Sequence, residues 1–175
     1  TVVTVNALPA APTITASGPV EFCAGGSVDL TSSEAAGNLW STAETDQAVT
    51  VAATGSYTVE FTDGNGCKAT SAATVVTVNA LPAAPTITAS GATTFCDGGS
   101  VVLTSSQATG NAWIDGEDTE TITVTESGDY TTVYTDASGC SSAASAATTV
   151  TVNALPAAPT ITASGATTFC DGGSV

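Results

Sequence analysis

Cysteine and carboxylate are the residue types here whose placing could do chemistry. The five cysteines fall at Cys23, Cys67, Cys96, Cys140 and Cys170. Cys23 and Cys67 stand 44 residues apart, as do Cys96 and Cys140. Carboxylates crowd one stretch, Asp115-Gly116-Glu117-Asp118-Thr119-Glu120. Regular cysteines in a small acidic chain point to disulfides in an oxidising, extracellular setting. The acidic run reads first as a solvated loop. Its other reading is a calcium site, with hard oxygen ligands from Asp115, Glu117, Asp118 and Glu120. Calcium is the one cofactor the sequence leaves open, and the run matches neither an EF-hand nor a nonapeptide calcium repeat.

Much other chemistry is disfavoured. There is no histidine, so a serine nucleophile lacks its usual base and transition metals lack their commonest ligand. Paired carboxylates serve a glycosidase only inside a cleft, and a unit of this size offers little cleft. The expectation is a non-enzymatic chain. Lys68 is the only basic residue against sixteen acidic ones. Phosphates would find nothing to neutralise them, so neither nucleic acid nor an anionic membrane surface is an expected partner. No apolar run is long enough to span a bilayer.

The cysteines sit inside a repeat. Thr-Val-Asn-Ala-Leu-Pro-Ala-Ala-Pro-Thr-Ile-Thr-Ala-Ser-Gly begins at Thr4, at Thr77 and at Thr151, in steps of 73 and 74 residues. Residues 77–101 and 151–175 are identical. Such a period signifies an array of like domains. The expected division is residues 1–5 as the last strand of a preceding repeat, repeats at 6–78 and 79–152, and the start of a third at 153–175. That division reads as a section of a longer rod.

Within a repeat, short apolar alternations separated by turns predict about seven strands packed as a β-sandwich. In the first, Ile14 points inward and Val20–Cys23 continues that strand after a kink at Gly18. Val28 and Leu30 follow, then Trp40, then Val49 and Val51. Tyr57, Val59 and Phe61 form the strongest strand. Asp63-Gly64-Asn65-Gly66 is a hairpin turn, and Val76 and Val78 close the unit. Gly55-Ser56-Tyr57 and Gly128-Asp129-Tyr130 suit a tyrosine corner of the immunoglobulin type. The fold class expected is all-β, tandem immunoglobulin-like sandwiches in a linear array.

The series Phe22-Cys23-x-Gly25-Gly26-Ser27-Val28-x-Leu30-Thr31, then Trp40, then Gly55-x-Tyr57-Thr58, then Thr62-Asp63-x-x-Gly66-Cys67 resembles the Ig-like repeats of large secreted Bacteroidota proteins. That group includes proteins associated with gliding motility and with type IX secretion. The resemblance implies a tandem array on the cell surface. It implies no catalytic residues and no fixed ligand, so what carries over is architecture.

Asn-Ala-Leu-Pro-Ala-Ala-Pro joins successive units. Its prolines (Pro9, Pro12, Pro82 and Pro85) favour a stiff, extended path. Leu8, Leu81 and Leu155 are the apolar plugs expected at such junctions.

The cysteines admit two pairings. A bond within each unit would close a 44-residue loop and stabilise it by roughly 4 kcal/mol in the chain-entropy model. In an immunoglobulin sandwich, however, Cys23 precedes the second strand and Cys67 follows the sixth, and these run the same way. A seven-residue strand spans about 23 Å, whereas a disulfide needs Cα atoms within about 7 Å. The alternative staples Cys23 to Cys140 across adjacent units, with Cys67, Cys96 and Cys170 pairing to further units or to another chain. Free thiols are a third option.

The leading functional expectation is a structural stalk or filament outside the cell. Its partners would be neighbouring repeats and other copies in a fibre. Alternatives are an adhesive array for glycans or surfaces, and a spacer in a larger secreted enzyme. Exposed loop aromatics would mark an adhesin, and Trp40 and Trp113 read as buried.

Overall fold

A computed structural model describes residues 1–168 and 170–174. The first unit contains β1 (Ile14–Ala16), β2 (Glu21–Cys23), β3 (Val28–Ser32), β4 (Asn38–Trp40), β5 (Ala48–Val51), β6 (Gly55–Tyr57), β7 (Val59–Thr62), β8 (Lys68–Thr70) and β9 (Thr74–Asn79). The second contains β10 (Ile87–Ala89), β11 (Thr94–Cys96), β12 (Val101–Ser105), β13 (Asn111–Trp113), β14 (Thr121–Val124), β15 (Gly128–Tyr130), β16 (Thr132–Tyr134) and β17 (Thr148–Asn153). The fold is all-β, as the alternating pattern leads one to expect.

Each unit has two layers. In the first, β1-β3-β5 form one antiparallel sheet. The facing layer combines β4-β7-β8 with β2-β9-β6. These two ladders follow the same stretches of chain, because β6 runs into β7 and β8 runs on towards β9. Inward positions alternate as period-two strands require, giving Val28, Leu30, Trp40, Val49, Val51, Tyr57, Val59 and Val76 as one buried cluster. The second unit buries Val101, Leu103, Trp113, Ile122, Val124 and Val150 in the same way. Trp40 is 2% exposed and donates its indole N–H to the Asp46 carbonyl at 2.8 Å. Trp113 does so to the Thr119 carbonyl, also at 2.8 Å. A buried indole needs such a partner.

Two strand expectations need correcting. Residues Val20–Cys23 do not prolong β1 within its sheet. After Gly18 the chain crosses to the other layer, where β2 lies parallel to β9 with Glu21 opposite Thr77 and Cys23 opposite Asn79. The long strand through Tyr57, Val59 and Phe61 is broken at Thr58: β6 pairs with β9, while β7 pairs with β4 and β8. Tyr57 and Val59 are buried and Phe61 only half so. The break is a bulge. Two residues separate Tyr57 from Glu60, but three separate Thr70 from Thr74 on the partner strand. The Ser71 hydroxyl fills the gap by accepting the Val59 N–H at 3.1 Å.

The tyrosine corner forms in both units. Tyr57 donates its hydroxyl to the Ala53 carbonyl at 2.9 Å, and Tyr130 donates to the Glu126 carbonyl at 3.2 Å.

The flanking segments behave differently from the units. Residues 1–5, expected as a terminal strand, take no strand, and Val2, Val3 and Val5 are exposed. The stretch 153–175, expected to open a third sandwich, contains no strand beyond Asn153 among the described residues; Phe169 and Val175 lie outside them. Neither residues 1–5 nor the described residues after Asn153 pair with a strand, and a strand without a partner is not stable alone.

Candidate functional site

One covalent link joins the two units. Cys23 is bonded to Cys140, with their Cα atoms 5.6 Å apart and a separation of 117 positions in sequence. Topology explains the meeting. Cys23 ends β2 beside Asn79, the last residue of β9, and the Ala24 N–H donates to the Asn79 carbonyl at 2.8 Å. That is the end by which the chain leaves the first unit. In the second unit, the start of β10 lies by the end of β12 (Ile87 opposite Ser105), and the start of β13 lies by the end of β16 (Asn111 opposite Tyr134). The hairpin after β16 therefore stands at the end by which the chain arrives, and Cys140 closes it. The exit end of one unit meets the arrival end of the next.

Each cysteine is held by its own turn. At Cys23 the Gly26 N–H returns to the Cys23 carbonyl at 3.0 Å through Gly25, whose φ is 95°. At Cys140 an aspartate does the work. One carboxylate oxygen of Asp136 accepts the Ser138 and Cys140 N–H groups, both at 2.9 Å, forming an Asx turn that presents the thiol. Asp63 does the same for Asn65 and Cys67, at 2.9 and 2.8 Å. The sequence marked Asp63 only as a turn former; the Asp-x-x-Gly-Cys spacing shared by both units was the signal for the second task of Asp63 and Asp136.

The remaining cysteines repeat these settings. Cys96 ends β11 opposite Asn153, with the Asp97 N–H on the Asn153 carbonyl at 2.8 Å, the environment of Cys23 one unit later. Cys67 occupies the hairpin position of Cys140 one unit earlier. Cys67, Cys96 and Cys170 carry no disulfide among the described residues; Cys67 is half-buried and the other two are exposed.

The leucine plugs do not form. Leu81, at the one junction flanked by both units, is 51% exposed, and Leu8 and Leu155 are more so. The apolar contacts that the plug would supply are not made there. Pro12 and Pro85 are instead buried at the arrival ends of their own units, and Pro9 and Pro82 are half-buried.

The acidic run does not gather into a cation site. Among the described residues no group of three or more Asp, Glu, Cys or His is placed to hold a metal. The loop is wound by its backbone around Trp113, whose N–H donates to the Glu117 carbonyl at 2.8 Å and accepts, at its carbonyl, the Gly116 N–H at 3.0 Å. Asp115, Glu117, Asp118 and Glu120 are thereby spread along the exposed side of the loop. Of the four, only Asp115 lines a shallow cleft of about 200 Å³, with Thr123, Val124, Thr125, Glu126 and Tyr130. Burial, and then the carboxylates of Glu126 and Asp115, hold the Tyr130 phenol above its ordinary pKa.

No helix among the described residues is long and apolar enough to cross a membrane. No protein-family model matches the chain, and no curated protein matches it. Solved structures do. A mouse coronavirus receptor-binding domain complexed with its murine receptor is similar over 81% of this chain and 99% of that one, at 14% identity and a TM-score of 0.43. The human OSCAR ligand-binding domain aligns over 82% and 100%, at 13% identity and 0.35. Fibronectin(III)-like modules of Clostridium thermocellum CbhA align over 85% and 100%, at 17% identity and 0.38. Likeness at this level carries no inference about the chain. The chain is a pair of two-layered all-β units carrying a disulfide, a bond that persists in oxidising compartments.

Proposed function

We propose that this chain is a non-catalytic structural segment of an extracellular stalk or filament, built from tandem repeats each stapled covalently to the next. The observation that carries this reading is the Cys23–Cys140 bond between units. A disulfide within a unit would serve any small secreted domain; one between units serves only an array. Cys96 supplies the next rung forwards and Cys67 the next rung backwards, with Cys170 repeating Cys96 one unit on. Each unit then carries one donor cysteine at its exit end and one acceptor at its arrival end. The resemblance to secreted cell-surface repeats agrees with this, as does a balance of one Lys against sixteen acidic residues. An adhesive role has less support, since both tryptophans are committed to the cores.

Electron microscopy of native material under non-reducing conditions tests the proposal. The expected result is long thin fibres or stalks with an axial repeat of about 40 Å, one small domain end to end. Short flexible strands, or a full-length protein dominated by a catalytic domain, would count against it.

A further inference from the structure

The position of the staple determines which residues feel a pull along the chain. Consider tension applied beyond Pro12 at one end and beyond Asn153 at the other. From Thr13 the chain runs along β1 and β2 to Cys23, crosses the disulfide to Cys140, and runs through β17 to Asn153. The closed loop between the two cysteines, spanning a sequence separation of 117, hangs outside this path. Leu30, Trp40 and Val59 of the first core lie within that loop, as do Leu103, Trp113 and Ile122 of the second. The linker at 79–85 lies within it too.

Without the bond, the same pull would enter the first unit at β1 and leave it from β9. It would then shear β2 against the parallel β9, which meet over only three residue pairs, Glu21–Thr77, Phe22–Val78 and Cys23–Asn79. The second unit would be loaded through the equally short ladder of Thr94–Thr151, Phe95–Val152 and Cys96–Asn153. Three pairs make a short clamp. The bond sits at the last pair of the first clamp and at the head of the strand path that leads out of the second unit, so it relieves both.

We propose that the array is a tether that transmits tension without unfolding: the staple conducts pull from unit to unit by way of β1, β2 and β17, and the two cores are bypassed. This inference draws on the stalk reading only in supposing that pull runs along the chain.

Single-molecule stretching of the 175-residue chain, with handles at its two ends, tests it. Peptide mapping without reduction first assigns the disulfide in the same sample. The oxidised chain is expected to extend with no step of unit size, and to stay roughly 400 Å shorter than the reduced chain at full stretch, at about 3.5 Å per bypassed residue. Treatment with a phosphine reductant, or the Cys140→Ser variant, is expected to bring out two steps of about 200 Å each. The proposal is overturned if the oxidised chain shows those steps at the same forces, or if mapping places Cys23 with Cys67. Native material that forms no fibre would sink the stalk reading while leaving the stretching result intact.

Discussion

The two units share a plan and differ most just after the hairpin cysteine. From Cys67 to Ser71 is four residues; from Cys140 to Ser145 is five. This one extra residue accounts for the two repeat steps of 73 and 74. In the first unit the stretch forms β8, ladders with β7, and sets Lys68 against Glu60. In the second, no strand corresponds to β8. Ser145 accepts the Thr132 N–H at 3.1 Å through its side chain, as Ser71 does that of Val59, and Ser142 adds a bond of the same kind by accepting the Tyr134 N–H at 3.0 Å. Three residues separate Tyr130 from Tyr134, and five separate Ser142 from Thr148. One more hydroxyl serves as acceptor where register was lost, while the Ser142 and Ser145 N–H groups still donate to the Tyr134 and Thr132 carbonyls. The Asx turn ahead of the insertion is the same in both units, so the face that meets the neighbouring unit tolerates no such drift while the strand behind it does.

The largest expected effect comes from removing the bond across the junction. Cys140→Ser should cost about 4–5 kcal/mol of overall stability, the chain-entropy value for a closed loop of about 100 residues. It should also split calorimetric unfolding into two transitions, the second unit melting first because Cys140 is fully buried. One unchanged transition would show that the units were never coupled through it.

Next comes a glycine pair. Gly37 and Gly110 have φ of 80° and 75°, and a Cβ there would stand 2.6 Å from the Thr62 carbonyl oxygen and 2.3 Å from that of Thr135. Alanine at either should cost about 1–3 kcal/mol from the left-handed backbone alone, with Gly110→Ala the worse because its contact is closer. Denaturant titration of the two variants checks the order. Equal losses would mean that the approach of the chain to the hairpin is the same in both units.

Smaller is the loss on removing a bridging hydroxyl. Ser145→Ala and Ser71→Ala should each cost about 1–3 kcal/mol by stranding a buried N–H. Ser142→Ala has no counterpart in the first unit and should cost less, as Tyr134 is only half-buried. A neutral Ser145→Ala would show that the second unit does not depend on its serines.

The smallest effect is one of pH. The Tyr130 phenol is raised above 10.0 in the folded state, so between 10.0 and that higher value the native chain holds a proton that the unfolded chain has lost. Stability should therefore fall as pH rises through this window and be unaffected below it. Tyr130→Phe should flatten the slope in thermal melts taken from pH 9 to 11, a range set about the ordinary tyrosine value. A slope that persists would place its origin elsewhere.

Inward residues were readable wherever period-two alternation met turns, as at Val28, Leu30, Val49 and Val51, because a half-buried strand imposes that pattern directly. The crossing of β2 to the opposite layer was not, since Phe22 alternates equally well in either sheet. Context outweighs local preference most plainly in Thr-Val-Val-Thr-Val-Asn. At 74–79 the hexapeptide is β9, flanked by β2 and β6, while at 1–6 the identical residues form no strand. The cysteine spacing allowed both pairings, and what separates them is the parallel placement of β2 on β9, which puts Cys23 at the exit end. Leu81 misled because an apolar residue in a linker suggests a socket, and a covalent bond makes a socket dispensable.

That Cys23 and Cys67 sit at opposite ends of a single unit has a consequence for how such a chain changes over generations. In an array of the kind proposed, every unit brings both halves of the joint, one half facing each neighbour, and the joint is indifferent to which unit supplies the other. Duplicating a unit, deleting one or exchanging their order leaves all internal joints with two matching halves. Length thereby becomes a matter of copy number alone, adjustable by recombination between near-identical stretches such as 77–101 and 151–175, with no new interface to invent.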